Sequence, residues 1–361
     1  MKKILITGNE AIAEAAIQAG CRFYAGYPIT PQNEIPAYMA AHMPGVGGVF
    51  IQAESELAAI NMVFGAAAIG ARAITSSSSP GISLKQEGIS YLAGCELPAV
   101  IVNIMRGGPG LGNISPAQSD YFQATKGGGH GDYHCIVLAP STVQEAFDLT
   151  RLSFDLADKY RMPVIILGDG MLGQMMEPIK MRDSTTLKLR RAGEGRETRN
   201  GKKWALTGAK NRKPRIIRSL YLAEGKLEEI NIGLQNKYTG ITKDEQRYEG
   251  LFLDESEIIL VSYGMMSRIA KAAVIELRKK GKKIGFIRPI TLWPFPNKVF
   301  KPLIINHKLL TILVIEMSCG QMVEDVKLAV NGKAKIEFLG RAGGGIPTQE
   351  EIIKKVVGLT G

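Results

Sequence analysis

Several short stretches of this chain carry side chains whose types and spacing could do chemistry. Gln52-Ala53-Glu54-Ser55-Glu56-Leu57-Ala58-Ala59 follows an apolar run and opens a helix of small residues, ending near Gly65-Ala66-Ala67-Ala68-Ile69-Gly70. Carboxylates at a helix start are stabilised by the dipole, and that is enough to account for Glu54. Glu56 fits two roles: the same charge placement, or a proton-handling acid where an Ala/Gly-rich face lets backbones or a flat cofactor come close. In Tyr27-Pro28-Ile29-Thr30-Pro31, a Thr hydroxyl sits between two prolines just after an expected strand, either as part of a rigid turn or in the crevice where open α/β sheets bind ligands. Arg106 ends another strand and precedes Gly107-Gly108-Pro109-Gly110-Leu111-Gly112; its guanidinium suits a carboxylate or phosphate, although surface ion pairing is the commoner use of a lone Arg. Those glycines break the dinucleotide spacing at Asn113, which argues against NAD.

Other candidates are less specific. Thr75 to Ser79, with Pro80 and Gly81, form a hydroxyl-rich strand end that suits a phosphate, an active-site wall or a plain turn. Gly168-Asp169-Gly170 resembles the start of a magnesium–diphosphate motif, but only Asn200 follows at a loosely suitable distance, so an ordinary strand-to-loop turn is expected. His130 and His134 flank Asp132 without a convincing third metal ligand.

The elements that must position these groups follow from the apolar pattern. A helix is expected over Asn9–Ala19, with strands at Arg22–Gly26, Gly48–Ala53, Arg72–Ser76, Pro98–Ile104, Cys135–Ala139 and Pro163–Leu167, the rhythm of a parallel sheet covered on both faces. The long Gly/Asn/Ser-rich connection from Arg106 to Gly131 reads as functional or packed against a partner. Periodicity fades from Arg182 to about Tyr248. It returns with strands at Ile258–Tyr263, Ile284–Ile287, Leu309–Ile315 and Lys335–Leu339 and a helix at Ser267–Lys280. The domains expected are 1–181, a basic insertion or linker at 182–248, and a smaller α/β domain at 249–361.

A chain of 361 residues, 45% hydrophobic and 22% charged, has the mixture of a folded protein and excludes whole-chain disorder. No apolar run reaches the roughly 18 residues of a membrane span, and MKKILITGNE turns polar too soon for a signal peptide, so a cytoplasmic protein is expected. Cys21, Cys95, Cys135 and Cys319 are too far apart for a C-x-x-C pair, which argues against an iron–sulfur cluster held by this chain alone. The net charge of +11 is local: residues 182–215 hold twelve Lys and Arg against three Asp and Glu. A solvated insertion or subunit contact explains that run better than nucleic-acid binding, which is the rival from another class.

YPITP at 27–31, QAESELAAI at 52–60, the GAAAIGARAITSSSSPGISLKQEGI run at 65–89 and the IMRGGPG arginine together resemble the alpha subunit of the 2-oxoacid:ferredoxin oxidoreductases. RGGPGLGN and GRAGGGIP are most similar to the 2-ketoisovalerate, branched-chain type. The resemblance covers 1–180 and 250–361, and is weakest in the basic insertion. It implies a doubly wound, pyrimidine-type thiamine-diphosphate domain followed by a transketolase-C-terminal-like α/β domain. By motif, Glu56 matches the acid bonded to the cofactor's aminopyrimidine, Tyr27 and Pro28 belong to the same cofactor-binding motif, and Thr30 and Arg106 match the residues that hold the substrate carboxylate.

The chemistry so implied is oxidative decarboxylation of a 2-oxoacid to acyl-coenzyme A and CO₂, with electrons passing to ferredoxin. A carboxyl group bonded to the pyrimidine N1′ favours the tautomer that takes the proton from thiazolium C2. The resemblance further implies that the diphosphate–magnesium site lies on a beta subunit and the iron–sulfur clusters on partner subunits, with ferredoxin-like delta and gamma subunits completing the assembly. A self-sufficient thiamine enzyme using Asp169 is the remaining alternative.

Overall fold

Short runs of Val, Ile, Leu and Ala with no charge among them suit strands buried on both faces, and the computed structural model builds two sheets from such runs. It describes residues 3–181, 202–306 and 310–359. In the larger sheet β2 (Phe23–Gly26), β3 (Val49–Gln52), β4 (Ala73–Ser77), β5 (Ala99–Met105), β6 (Ile136–Leu138) and β7 (Pro163–Asp169) are all parallel, in the order β6-β7-β5-β4-β2-β3. A two-stranded sheet pairs β1 (Lys3–Thr7) with β8 (Met176–Lys180).

Alternation along the strands divides the core. Ile74, Val100, Val102 and Ile166 pack under α1 (Gly8–Gln18), α2 (Glu34–His42) and α6 (Val143–Tyr160). Ala73, Ile101, Met105 and Leu167 face α3 (Glu56–Ala68) and α4 (Ser79–Gly94) on the other side. Each internal strand thus buries both faces, which is why the runs read as continuous apolar segments.

The second sheet has the order β14-β13-β10-β11-β9, with β10 (Ile258–Val261), β11 (Ile284–Pro289), β13 (Thr311–Glu316) and β14 (Lys335–Gly340) parallel and β9 (Tyr248–Leu251) antiparallel at the edge. Helices α9 (Met266–Lys279) and α12 (Gln349–Leu359) cover one face. The other face, under α10 (Asn297–Asn306) and α11 (Met322–Val330), is continuous with the core beside α3 and α4. Among the described residues no helix is long and apolar enough to cross a membrane.

Two features depart from the sequence reading. Fading periodicity predicts a basic insertion or linker over 182–248, and within it Lys226–Asp244 forms the 19-residue helix α8, which the periodicity does not single out. Only Leu234, Tyr238 and Ile241 are buried, a stripe too narrow to stand out in a polar sequence. Part of the basic run, 182–201, lies outside the described residues. The short strand β12 (Thr291–Trp293) leaves the second unit and pairs antiparallel with β6, so the C-terminal half supplies an edge strand to the first sheet.

The 106–131 connection ties the two units together. Gln118 donates from Nε2 to the Tyr263 carbonyl (2.9 Å), its Oε1 accepts from the Met317 amide (3.0 Å), and the Tyr121 hydroxyl donates to Asp325 (2.5 Å). A second tie is ionic. Arg288 on β11 grips both oxygens of Glu145 on α6 (2.7 and 2.8 Å) and donates from Nε to Glu249 on β9 (2.9 Å). Burial alone would raise the Glu145 carboxyl, but the hydrogen bonds and charge of Arg288 outweigh it and hold the group below its ordinary 4.5. A depressed carboxyl contributes stability that is present above the ordinary value and lost as pH falls through the folded one. Arg288→Met should therefore lower unfolding free energy by about 2 kcal/mol at neutral pH, short of the full cost of breaking a buried pair because both carboxylates are partly solvated. Denaturant unfolding at pH 7 and below pH 4 checks this, and a deficit that does not shrink in acid would contradict it.

Candidate functional site

Parallel strands all end on the same edge, so the connections after β5, β4, β2 and β3, four neighbours in the sheet, meet at one place. Arg106 follows β5, Ser77 to Ser79 close β4, Tyr27 to Pro31 follow β2, and Glu56 follows β3.

Glu56 is the first residue of α3, after Ser55 has capped the helix by accepting the Ala58 amide (3.1 Å). Glu54 is exposed while Glu56 is buried, 6% accessible, because the helix start turns the second carboxylate inward. A Cβ on Gly81 would stand 2.4 Å from Glu56 Oε1 and 2.1 Å from Ser77 Oγ, so only glycine lets α4 begin over these two oxygens.

Arg106 is also buried. Its Nη1 donates to the Thr30 carbonyl (3.0 Å) and Nη2 to the Leu111 carbonyl (3.1 Å). The structure thus joins Thr30 and Arg106, 76 residues apart in the chain. The Thr30 turn is anchored from below, where Asn9 Nδ2 and Gln174 Nε2 both donate to the Pro31 carbonyl (2.8 and 3.0 Å). Arg106 connects to the start of α4 because its amide donates to Ser79 Oγ (3.1 Å). Tyr27 and Pro28 stand exposed at the end of β2, and the Tyr27 carbonyl accepts from Gln32 Nε2 (3.4 Å).

Buried polar atoms are normally satisfied. Here Ser77 Oγ, Ser78 Oγ and Arg106 Nε are buried with no partner among the described residues. An unmet hydroxyl beside an inward carboxylate, with an unmet guanidinium nitrogen on the next strand end, is a donor and acceptor set that can receive a small polar group. A flat aminopyrimidine fits that donor set: the carboxyl can hold a ring nitrogen and the hydroxyls can take exocyclic polar atoms.

The remaining candidates have other roles. Asp169 accepts from the Met171 and Leu172 amides (3.0 and 3.1 Å), capping α7 (Gly170–Gln174), and burial raises its carboxyl to about 6. His134 stacks on Trp293 (4.5 Å between centroids), whereas His130 meets the edge of Tyr91.

Two charged residues near these strand ends escape the sequence reading. Asp120 accepts from Ser79 Oγ (2.6 Å) and Asn103 Nδ2 (2.9 Å), linking the long connection to β5 and α4. Lys85, on α4, is wholly buried and its Nζ has no hydrogen-bond partner among the described residues. The available signal was its spacing, four residues after Gly81 and three before Gly88, on the glycine face of the helix.

Residues 14–228 match the family model described as "Pyruvate flavodoxin/ferredoxin oxidoreductase, thiamine diP-bdg", and residues 256–352 match "Pyruvate:ferredoxin oxidoreductase core domain II". The chain is 49% identical to the ketoisovalerate oxidoreductase subunit VorB of Methanothermobacter marburgensis, over 99% of this chain and 98% of that one. It is 36% identical to the 2-oxoglutarate synthase subunit KorA of the same organism, over 99% of each. Among solved structures it resembles the 2-oxoglutarate:ferredoxin oxidoreductase of Magnetococcus marinus, determined with 2-oxoglutarate, coenzyme A and succinyl-CoA bound, with a TM-score of 0.86 and 28% identity. The match covers 99% of this chain and 65% of that one.

Proposed function

Because this chain belongs to the pyruvate flavodoxin/ferredoxin oxidoreductase family, we propose that it is the alpha-type subunit of a 2-oxoacid:ferredoxin oxidoreductase acting on 2-ketoisovalerate and related branched-chain oxoacids. In this reading 1–181 is the pyrimidine-binding domain, 249–361 the transketolase-C-terminal-like domain, and 182–248 the segment between them.

The observation that carries the reading is the inward Glu56 beside the unmet Ser77 hydroxyl, both held against a glycine that leaves no room for a methyl group. Bound thiamine diphosphate supplies the carbon nucleophile and electron sink that decarboxylation of a 2-oxoacid needs. Glu56 would hold the aminopyrimidine ring nitrogen and share its proton. Tyr27 and Pro28 would border the same cofactor at the end of β2. Arg106 would present its free Nε edge to the substrate carboxylate, with the Thr30 hydroxyl beside it, orienting the bond that breaks. A beta subunit would carry the diphosphate and magnesium, ferredoxin-like delta and gamma subunits the iron–sulfur clusters, with coenzyme A taking the acyl group and ferredoxin the electrons.

The test is to isolate the native complex through this chain, identify its companions and measure acceptor reduction with each oxoacid plus coenzyme A. Ketoisovalerate should give a higher kcat/KM than pyruvate or 2-oxoglutarate, and the isolated chain should give no reduction. Turnover by the chain alone would remove the shared site, and a preference for 2-oxoglutarate would remove the substrate assignment.

A further inference from the structure

A wholly buried lysine with no hydrogen-bond partner is costly to place, because an ammonium away from water must be compensated by charge or lose its proton. Lys85 is such a residue. Its position on α4 is well defined. Gly81 meets Glu56 Oε1 and Gly88 meets the side chain of Ile60, and on α3 those two partners are one turn apart. Lys85 lies between the two glycines on the same helical face, so it stands where α4 crosses the Glu56 end of α3. Of the charged residues on neighbouring elements, Asp120 and Arg106 meet α4 at Ser79, six residues before Lys85. On that side of the sheet, β4 presents the unpartnered hydroxyls of Thr75 and Ser77, while β5 and β7 present Ile101, Met105, Ile165 and Leu167. The turn at Gly128 and Gly129 sits on Gln86, and Lys126 is engaged with Asp325.

We infer that Lys85 is the internal charge partner of Glu56: a positioning residue on the glycine face of α4 whose charge keeps the carboxylate turned inward at the start of α3. This rests on the reading of Glu56 as the group that faces the cofactor nitrogen; given that reading, Lys85 fixes where that carboxylate stands. Burial lowers the Lys85 amine to about 8, and the charge of Glu56 opposes that fall. Lysine in an unfolded chain titrates near 10.4. Between the two values the unfolded chain holds a proton that the folded chain has released, so stability contributed by this group rises with pH from about 8 upward.

The test uses the full chain without cofactor, so its result is independent of any assay of Glu56 in catalysis. Thermal unfolding is followed across pH for wild type, Lys85→Met, Glu56→Gln and the double variant. At pH 7 the double variant should lose at least about 2 °C less in Tm than the two single losses together, because removing one charge leaves the other without compensation. The Tm of wild type relative to Lys85→Met should climb as pH rises from about 8 toward about 10.4, and in the Glu56→Gln background that climb should begin at lower pH. Additive losses with an unmoved onset would overturn the pairing. Should Lys85→Met fail to fold, the same shift is read from the Nζ resonance of Lys85 in ¹⁵N-lysine-labelled wild type and Glu56→Gln, and an identical titration in both would also overturn it.

Discussion

Glu56→Gln in the assembled enzyme lowers oxoacid-dependent acceptor reduction by about 10²- to 10⁴-fold, the range expected when a positioned acid–base group is removed. Glutamine keeps the side chain's shape and can still hydrogen-bond, so the complex should assemble with unchanged stoichiometry while the group that exchanges a proton is lost. Gly81→Ala supplies an independent version of the experiment. It leaves Glu56 in place but puts a methyl carbon 2.4 Å from its Oε1, forcing the carboxylate aside. Both variants should lose kcat far more than they alter substrate KM, since neither residue is assigned to the oxoacid. Size-exclusion profiles and steady-state rates decide it; a Glu56→Gln complex within tenfold of wild type would remove the acid from its assigned role.

The strand ends that gather this site are legible in the sequence for a physical reason. Each internal strand of a parallel sheet is buried on both faces, so residues 99–102 and 164–167 appear as unbroken apolar runs, and whatever follows their strands lies on one edge of the sheet. The distinction between Glu54 and Glu56 is likewise legible, because the second acid leads the Ala/Gly face and is the one that turns inward. What escapes depends on contacts far apart in the chain. The three residues of β12 make a strand only because β6 offers them an edge, and α8 is held by a stripe of three buried side chains. Asp120 sits in a polar loop and acquires meaning only when Ser79 and Asn103 arrive from α4 and β5. Lys85 looks like an ordinary helix lysine until α3 and β4 close over it.

Arg106 provides the second large effect, because charge and hydrogen-bond geometry can be separated there. Two of its nitrogens already hold the carbonyls of Thr30 and Leu111, and the third, Nε, is buried without a partner among the described residues. A carboxylate meeting that edge gains charge-assisted hydrogen bonds, each worth about 1.5–3 kcal/mol. Arg106→Lys keeps the positive charge and loses the planar fork, so kcat/KM for the oxoacid should fall by about 10²-fold, through a higher KM as well as a lower kcat. Arg106→Met should fall further. Thr30→Val, which removes a hydroxyl and leaves the carbonyl that Arg106 grips, should lose only about tenfold, the scale of one neutral hydrogen bond. A purely architectural arginine predicts another pattern: Arg106→Lys and Arg106→Met would lower Tm together and leave KM unchanged in whatever enzyme survives. Measuring Tm and the KM–kcat split on the same preparations therefore separates the two roles, and an Arg106→Lys enzyme that saturates with oxoacid as wild type does would assign the carboxylate to another residue.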